Sequence, residues 1–402
     1  MSAVPYPPAS EPVREPAPLD VLVLAPQPLF QARGTPIAVR ALLDVLGALG
    51  HRVDVLTFPG GEPTELPGCT LHYVLPGRSA ERMRPGFSGA KLARDAVMLA
   101  QSARMARRKR YHLVHAVEEA AFIALLLKRA FGVPFVYDMD SSLPQQLADR
   151  HAWLQRVAGS MERLEALAIR ESLGVVAVCR ALEERAVRGG GRVVARIEDF
   201  SLLEPLAPAE PAALQRERPT IMYVGNLEPY QGIELLLRGF AVAQARVPAA
   251  RLVIVGGDAG GIQRYRALAA ELGIAEHAEF AGPRPVTDLR RVLAEADVLV
   301  SPRIQGQNTP MKVYSYLDSG RPLLATRLPT HTQVLDDEIA LLAEPTPAAL
   351  GAGLVVLLRD PARRAALARR ARARVDAEFS PAAYRRKMAA FYARLGAELA
   401  RR

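Results

Sequence analysis

The chain has 402 residues, half of them apolar, and a formal net charge of +10. That is enough apolar material to bury cores for two or three domains, and it excludes a disordered protein. The longest apolar run, AAFIALLL at 120–127, falls far short of the roughly 20 residues that span a bilayer, so no transmembrane helix is expected. The charge and a pI near 9.9 point toward anionic partners, with nucleic acid, acidic lipid and nucleotide sugar all open on charge alone.

Residues 1–19 carry proline and acidic groups where a signal peptide would have a basic start and an apolar core, so a disordered leader on a cytoplasmic protein is expected. From Asp20 short β-branched runs alternate with amphipathic stretches: a strand at 20–26, a helix across 36–49 stopped by Gly50, and a strand at 52–58. That order is a βαβ unit, which implies a parallel sheet. Strands at 112–116, 134–140 and 174–178 complete a first doubly wound domain over 20–200. Residues 201–219 are proline-rich and read as a linker. A second series follows over 220–379, with strands at 220–225, 250–257, 278–282, 296–302 and 322–326 and helices at 232–246, 261–272 and 286–294. The segment 380–402 reads as a last helix with Ser380 as cap and Pro381 in its first turn. Its stripe of Tyr384, Met388, Phe391, Tyr392 and Leu395 must pack on something, and a return to the first domain is one way to satisfy it. Cys69 and Cys179 show no spacing for a disulfide or a zinc site and are expected as buried thiols.

Chemistry concentrates where loops follow strands. In NTPMKVYSYLDSGRPLLAT (308–326), Thr309 is placed to cap a helix of about ten residues, Pro310 to occupy its first position and Gly320 to stop it. Its amino end would lie at the carboxyl edge of a parallel strand, where free N–H groups favour an anion, with Lys312 and Arg303 beside it. Two glycine-bearing loops, Gly225 to Gly232 and VIVGGDAGG at 253–261 with Gly256 and then Arg264 and Arg266, would let backbone approach phosphate. Neither is a P-loop, and no G-x-G-x-x-G opens either half. In the first half Gly34 and Thr35 precede the first long helix, His115, Glu118 and Glu119 end one strand, and Asp138 and Asp140 end another. The run Arg104, Arg107, Arg108, Lys109, Arg110 lacks the interleaved aromatics of a single-stranded nucleic-acid site. It reads either as a solvated helix end favoured by the dipole or as a contact for an acidic membrane surface.

From about residue 20 to 400 the order of elements resembles glycosyltransferase family 4 (group 1), the retaining glycosyltransferases of the GT-B fold. The segments that carry the resemblance are RGTPIAVRALLDVLGALGHRVDVLT, YVGNLEPYQGIELLL, LVIVGGD, AEFAGPRPVTDLRRVLAEADVLVSP and SYLDSGRPLLAT. It implies two Rossmann-like doubly wound domains facing across a cleft. A nucleoside diphosphate sugar would bind the second domain, and a glycan, lipid-linked or small-molecule acceptor the first. Hexosyl transfer in glycan biosynthesis would follow, in the cytoplasm or peripherally at the inner face of the membrane. No cofactor or metal is required under this resemblance, because basic side chains and a helix amino terminus neutralise the leaving diphosphate, with Arg264, Arg303 and Lys312 as the candidate cations.

Matched by position, Gly225, Asn226, Gln231 and Gly232 would face the diphosphate, as would the helix start from Asn308 through Thr309 to Lys312. The backbone around Phe280 would meet the base, and Gly34 and Thr35 would close over the phosphates. Asp140 matches a position next to the reacting sugar carbon, where a carboxylate could stabilise an oxocarbenium-like centre or accept the acceptor's proton. His115 and Glu118 would be nearby sugar or acceptor contacts. The chain departs from the pattern at four places: Asn226 and Gln231 stand where the family has Arg and Lys, and Gln307 and Ser315 where many members have a glutamate near the donor sugar and another at the ribose. Those losses motivate one alternative, a catalytically silent member that binds a nucleotide sugar or a partner; a second, a nucleotide-sugar epimerase of the same fold, would need a denser set of acids and histidines around the cleft.

Overall fold

The computed structural model describes residues 18–31, 34–61, 65–74, 89–142, 155–203 and 218–401. Most of the expected leader and most of the expected linker, 204–217 of it, lie outside the described residues. The chain divides into two compact units, one holding residues up to Ala177, Glu183–Ala195 and Arg385–Arg402, the other Val178–Leu182 and Arg196–Tyr384.

The first unit carries β1 (Asp20–Phe30), α1 (Gly34–Ala48), β2 (Arg52–Gly61), β3 (Cys69–Tyr73), α2 (Gly89–Arg108), β4 (Leu113–Val117), α3 (Ala120–Phe131), β5 (Phe135–Met139), α4 (Gln155–Glu171) and β6 (Gly174–Ala177). After α5 (Arg180–Arg188), β7 (Val194–Arg196) closes a sheet of order β3-β2-β1-β4-β5-β6-β7. Its pairs from β3 through β6 run parallel. All five residues of β4 and all four of β6 are buried, as expected for a sheet covered on both faces. The order reverses between β1 and β4, so the loops after those two strands flank a switch point at the carboxyl edge.

The final helix, α13 (Pro381–Ala400), contributes its residues from Arg385 onward to this unit. It lies so close to β6 that a Cβ on Gly174 would stand 2.8 Å from Leu395 and 2.9 Å from Phe391. Tyr392 and Leu395 are wholly buried there, so the apolar stripe seen in the sequence is core.

The second unit carries β8 (Thr220–Val224), α6 (Ile233–Gln244), β9 (Arg251–Val255), α7 (Ala259–Glu271), β10 (Ala278–Gly282), α8 (Leu289–Ala294), β11 (Val298–Ser301) and α9 (Met311–Asp318). Then come β12 (Leu323–Thr326), a single turn α10 (Pro329–Thr332), β13 (Leu341–Ala343), α11 (Pro347–Arg359) and α12 (Pro361–Arg374). The parallel sheet has the order β10-β9-β8-β11-β12-β13, with its switch point between β8 and β11. Side chains alternate along β8: Ile221 and Tyr223 enter one core with Leu236, Phe240 and Ile254, whereas Met222 enters the other with Val313, Tyr314 and Leu317.

Two smaller expectations are corrected. Cys69 is only half-buried, and burial pushes its thiol up to about 11; Cys179 is buried, and both are free. Lys109 does not belong to an open basic run, because its ammonium is bound 2.9 Å from Asp54 and 3.1 Å from Asp20.

Candidate functional site

In the second unit the loop after β8 and the start of α9 flank the switch point. A turn of 3-10 helix over Pro229–Gln231 ends on Gly232, whose φ of +73° is left-handed. A Cβ there would stand 2.0 Å from the Pro302 carbonyl oxygen, so only glycine lets the two loops meet. Gly256, at φ +110°, likewise has the Gly225 carbonyl 2.2 Å from where a Cβ would be. These glycines are required first by backbone packing.

Gln231 is buried and accepts a 2.9 Å hydrogen bond from Lys312 Nζ. The ammonium also sits 3.9 Å from the centre of the Tyr223 ring and against the Gly225 backbone. Arg303 folds over the Tyr230 ring at 5.3 Å and donates to the Gln305 carbonyl at 2.6 Å and to the Asn308 side chain at 3.4 Å. Burial, and then the charge of Arg303, push the Lys312 pKa well below its ordinary value. Among the described residues neither cation is paired with a carboxylate. Two desolvated cations without a counter-ion are costly unless an anion joins them.

Beside them a cavity of about 580 Å³ opens at the carboxyl ends of β8, β9 and β10. Of the expected donor residues, Gly225, Asn226, Gly256 and Arg264 line it. Arg264 is held by its own neighbour, donating to the Tyr265 hydroxyl at 2.7 Å and stacking on that ring. Asn226 offers its carbonyl to the Tyr223 hydroxyl at 2.6 Å. The sequence reading missed Glu228, Asp258, Pro283 and Arg284 in the same wall. Asp258 was legible as a cap, since it precedes a helix and accepts from Gly261 N–H at 2.8 Å.

Other expected contacts move. Thr309 does not cap α9: Pro310 holds the cap position at φ −62° and ψ 131°, Thr309 is buried one residue earlier, and the helix is eight residues long. Gly320 does sit beyond its end in the left-handed conformation, φ +73°. Ser315 is corrected as a donor contact, for it is wholly buried and its hydroxyl accepts the Leu202 N–H at 3.0 Å. The Phe280 ring is buried in β10 under Arg266, 5.9 Å from its centre, and just beyond the expected backbone stretch Pro283 and Arg284 line the cavity. Gln307 is exposed, and Asn308 is bound through its carbonyl by Thr330 at 2.8 Å.

In the first unit, Gly34 and Thr35 open α1 at the carboxyl side of β1, with Gly34 exposed and no atom within 4 Å of a Cβ built on it. Glu118, just past β4, has φ +51°, the one left-handed non-glycine residue among the described ones. Burial and the neighbouring Glu119 raise its carboxyl to about 7. Asp95 of α2 is raised to about 7 for the same two reasons, while Glu119 forms an ion pair with Lys91. Asp140 is half-buried directly after β5, next to Ser141, whose hydroxyl lies 3.4 Å from Glu118. His115 is corrected as a direct contact: it is wholly buried, its Nε2 3.1 Å from Asp138 and its Nδ1 2.8 Å from Tyr392.

Two family models match in sequence, glycosyl transferases group 1 over residues 218–360 and the glycosyl transferase 4-like domain over 33–198. The chain belongs to the group 1 glycosyltransferases. A D-inositol 3-phosphate glycosyltransferase of Acidothermus cellulolyticus is 34% identical over 158 residues, which is 37% of this chain and 35% of the relative. The match thus spans about a third of that relative's length. In structure, a sucrose-phosphate synthase from Thermosynechococcus elongatus is similar with a TM-score of 0.75 and 22% identity, covering 94% of this chain and 100% of that one. Anabaena HepE in complex with UDP gives 0.69 at 16% identity, covering 92% and 99%. These likenesses show the GT-B fold of this group 1 member, two Rossmann-like units each on a parallel sheet.

Proposed function

We propose that this group 1 glycosyltransferase moves a hexosyl group from a nucleoside diphosphate sugar to an acceptor hydroxyl with retention of configuration. The observation that carries the reading is the pair Lys312 and Arg303, desolvated at the switch point and free of any carboxylate among the described residues. A diphosphate there would be neutralised by these two cations and by the amino end of α9, without a metal ion. Asn226 and Gln231 need not be basic under this reading, because Gln231 holds Lys312 in place. The adjoining cavity would take the nucleoside, with Asn226, Pro283 and Arg284 against it.

In the first unit Asp140 would face the anomeric carbon and stabilise positive charge as the leaving diphosphate departs, while Glu118 and Thr35 hold hydroxyls of the sugar or acceptor. The name of the Acidothermus relative makes a phosphorylated polyol one acceptor to assay. No helix among the described residues is long and apolar enough to cross a membrane. The exposed Arg104, Arg107, Arg108 and Arg110 at the end of α2 would suit an acidic bilayer carrying a lipid-linked acceptor.

The test is sugar transfer from UDP-, GDP-, ADP- and dTDP-hexoses, with polyol phosphates, glycans or lipid extracts as acceptors. Product with the donor's anomeric configuration is expected from one donor class, and transfer should fall steeply in Asp140→Asn. No transfer from any donor would remove the reading, and full activity in Asp140→Asn would remove Asp140 from it.

A further inference from the structure

We propose that Tyr392 and His115 are positioning residues that fix the Asp138 carboxylate at the carboxyl edge of β5, and that Asp138, through its second oxygen, accepts a hydrogen bond from the bound sugar or acceptor. This rests on the transferase reading of that edge. His115 lies mid-strand in β4, wholly buried, between the Tyr392 hydroxyl at 2.8 Å and Asp138 Oδ2 at 3.1 Å. Burial and the charge of Asp138 push the Tyr392 phenol well above its ordinary pKa, so it remains an O–H donor. A carboxylate only accepts. The arrangement that satisfies all three groups with a neutral ring has Tyr392 donating to Nδ1 and Nε2–H donating to Asp138. The opposite tautomer would set a nitrogen lone pair against the carboxylate.

Three features aim this chain of bonds at the edge rather than at the core alone. Asp138 is the last residue but one of β5, and its side chain is 13% exposed while that of His115 is wholly closed off. Its backbone carbonyl accepts the Glu118 N–H at 2.9 Å, tying the left-handed Glu118 turn to the same strand end. Asp140 follows two residues on, directly after the same strand. Tyr392 reaches this place from 277 residues away because Gly174 lets α13 settle on β6. A Tyr–His–Asp chain in a core that Leu and Phe could fill is costly to bury, and it contributes uniqueness of geometry when fully bonded.

Two measurements on the full chain decide it. Long-range proton–nitrogen NMR of the His115 ring should report a neutral ring protonated on Nε2 in the wild type and a changed ring signature in Tyr392→Phe; protonation on Nδ1, or on both nitrogens, overturns the proposal. In transfer assays Tyr392→Phe and His115→Leu should lower kcat about 10–100-fold, the cost of a misplaced reacting group, with KM for the donor unchanged. His115→Gln, whose amide nitrogen reaches the place of Nε2, should recover most of kcat. Equal loss in the Leu and Gln variants, or wild-type kcat in all three, overturns it as well. Wild-type protein inert toward every donor would instead count against the transferase reading, and the ring tautomer would then decide the bonding by itself.

Discussion

Lys312 Nζ donates to Gln231 Oε1 across 2.9 Å, joining the start of α9 to the turn after β8. The bond fixes the charge but leaves it unneutralised, so the site is less stable empty than filled. Lys312→Met should therefore raise the melting temperature of ligand-free protein while weakening UDP or GDP binding about 10–100-fold, the worth of one charge-assisted hydrogen bond. Calorimetric titration and thermal melting of both proteins check the pair of signs. Unchanged nucleotide affinity would separate Lys312 from the diphosphate.

Gly232→Ala should be far more damaging than its size suggests. A Cβ would meet the Pro302 carbonyl at 2.0 Å, on a residue with φ +73°. A loss of at least about 1–3 kcal/mol in urea melts is expected from strain and overpacking together. Gly34→Ala, where nothing lies within 4 Å of the new atom, should change stability by less than about 1 kcal/mol.

The two raised carboxyls of the first unit give a pH dependence of defined sign. Glu118 and Asp95 titrate near 7 when folded because of burial and then Glu119, against about 4 when unfolded. The folded state therefore binds more protons than the unfolded between roughly pH 4 and 7, and stability falls as pH rises through that window. Glu118→Gln and Asp95→Asn should each be more stable than wild type at pH 8, by on the order of 1–3 kcal/mol of unfolding free energy, and differ little at pH 4. A wild-type melting temperature that rises between pH 5 and 8 more steeply in the presence of these carboxyls than in their absence would contradict this.

At the opposite edge of the same sheet the sign reverses. Burial works to raise the Asp54 pKa, but hydrogen bonds from Lys109, His72 and Tyr111 outweigh it and leave the carboxyl below its usual range. Asp20 is likewise held well below the usual range, first by its hydrogen bond to Arg52. Their stabilisation is present above the unfolded pKa near 4 and is lost as pH falls through the folded values. Asp54→Ala, which leaves the buried Tyr111 hydroxyl without its acceptor and Lys109 with Asp20 alone, should cost about 1–3 kcal/mol at pH 7. The deficit should shrink below pH 4.

The central strands and the two-unit division were legible because buried parallel strands are short β-branched runs between helices. Three short strands were not: Cys69–Tyr73 is half-buried and mixed in polarity, while Val194–Arg196 and Leu341–Ala343 are only three residues each. The glycines of the β8 and β9 loops were legible as glycines, but their first reason is the carbonyl each one faces. Ser315 and His115 misled for a common cause. Each is polar and stands in a motif, yet its partner is 113 or 277 residues away, and no local spacing records such a bond. Lys312 was legible as a charge beside a helix start; that Gln231 would hold it, in a place expected to be basic, required the fold.

The most direct measurement is equilibrium titration of the purified chain with UDP, GDP, ADP and dTDP, each followed by calorimetry and by the shift in melting temperature. One nucleoside diphosphate should bind wild type and raise its melting temperature in proportion to ligand concentration, with the binding weakened in Lys312→Met and Arg303→Met. Flat titrations with all four, or equal binding by the two variants, would contradict a diphosphate site at the start of α9.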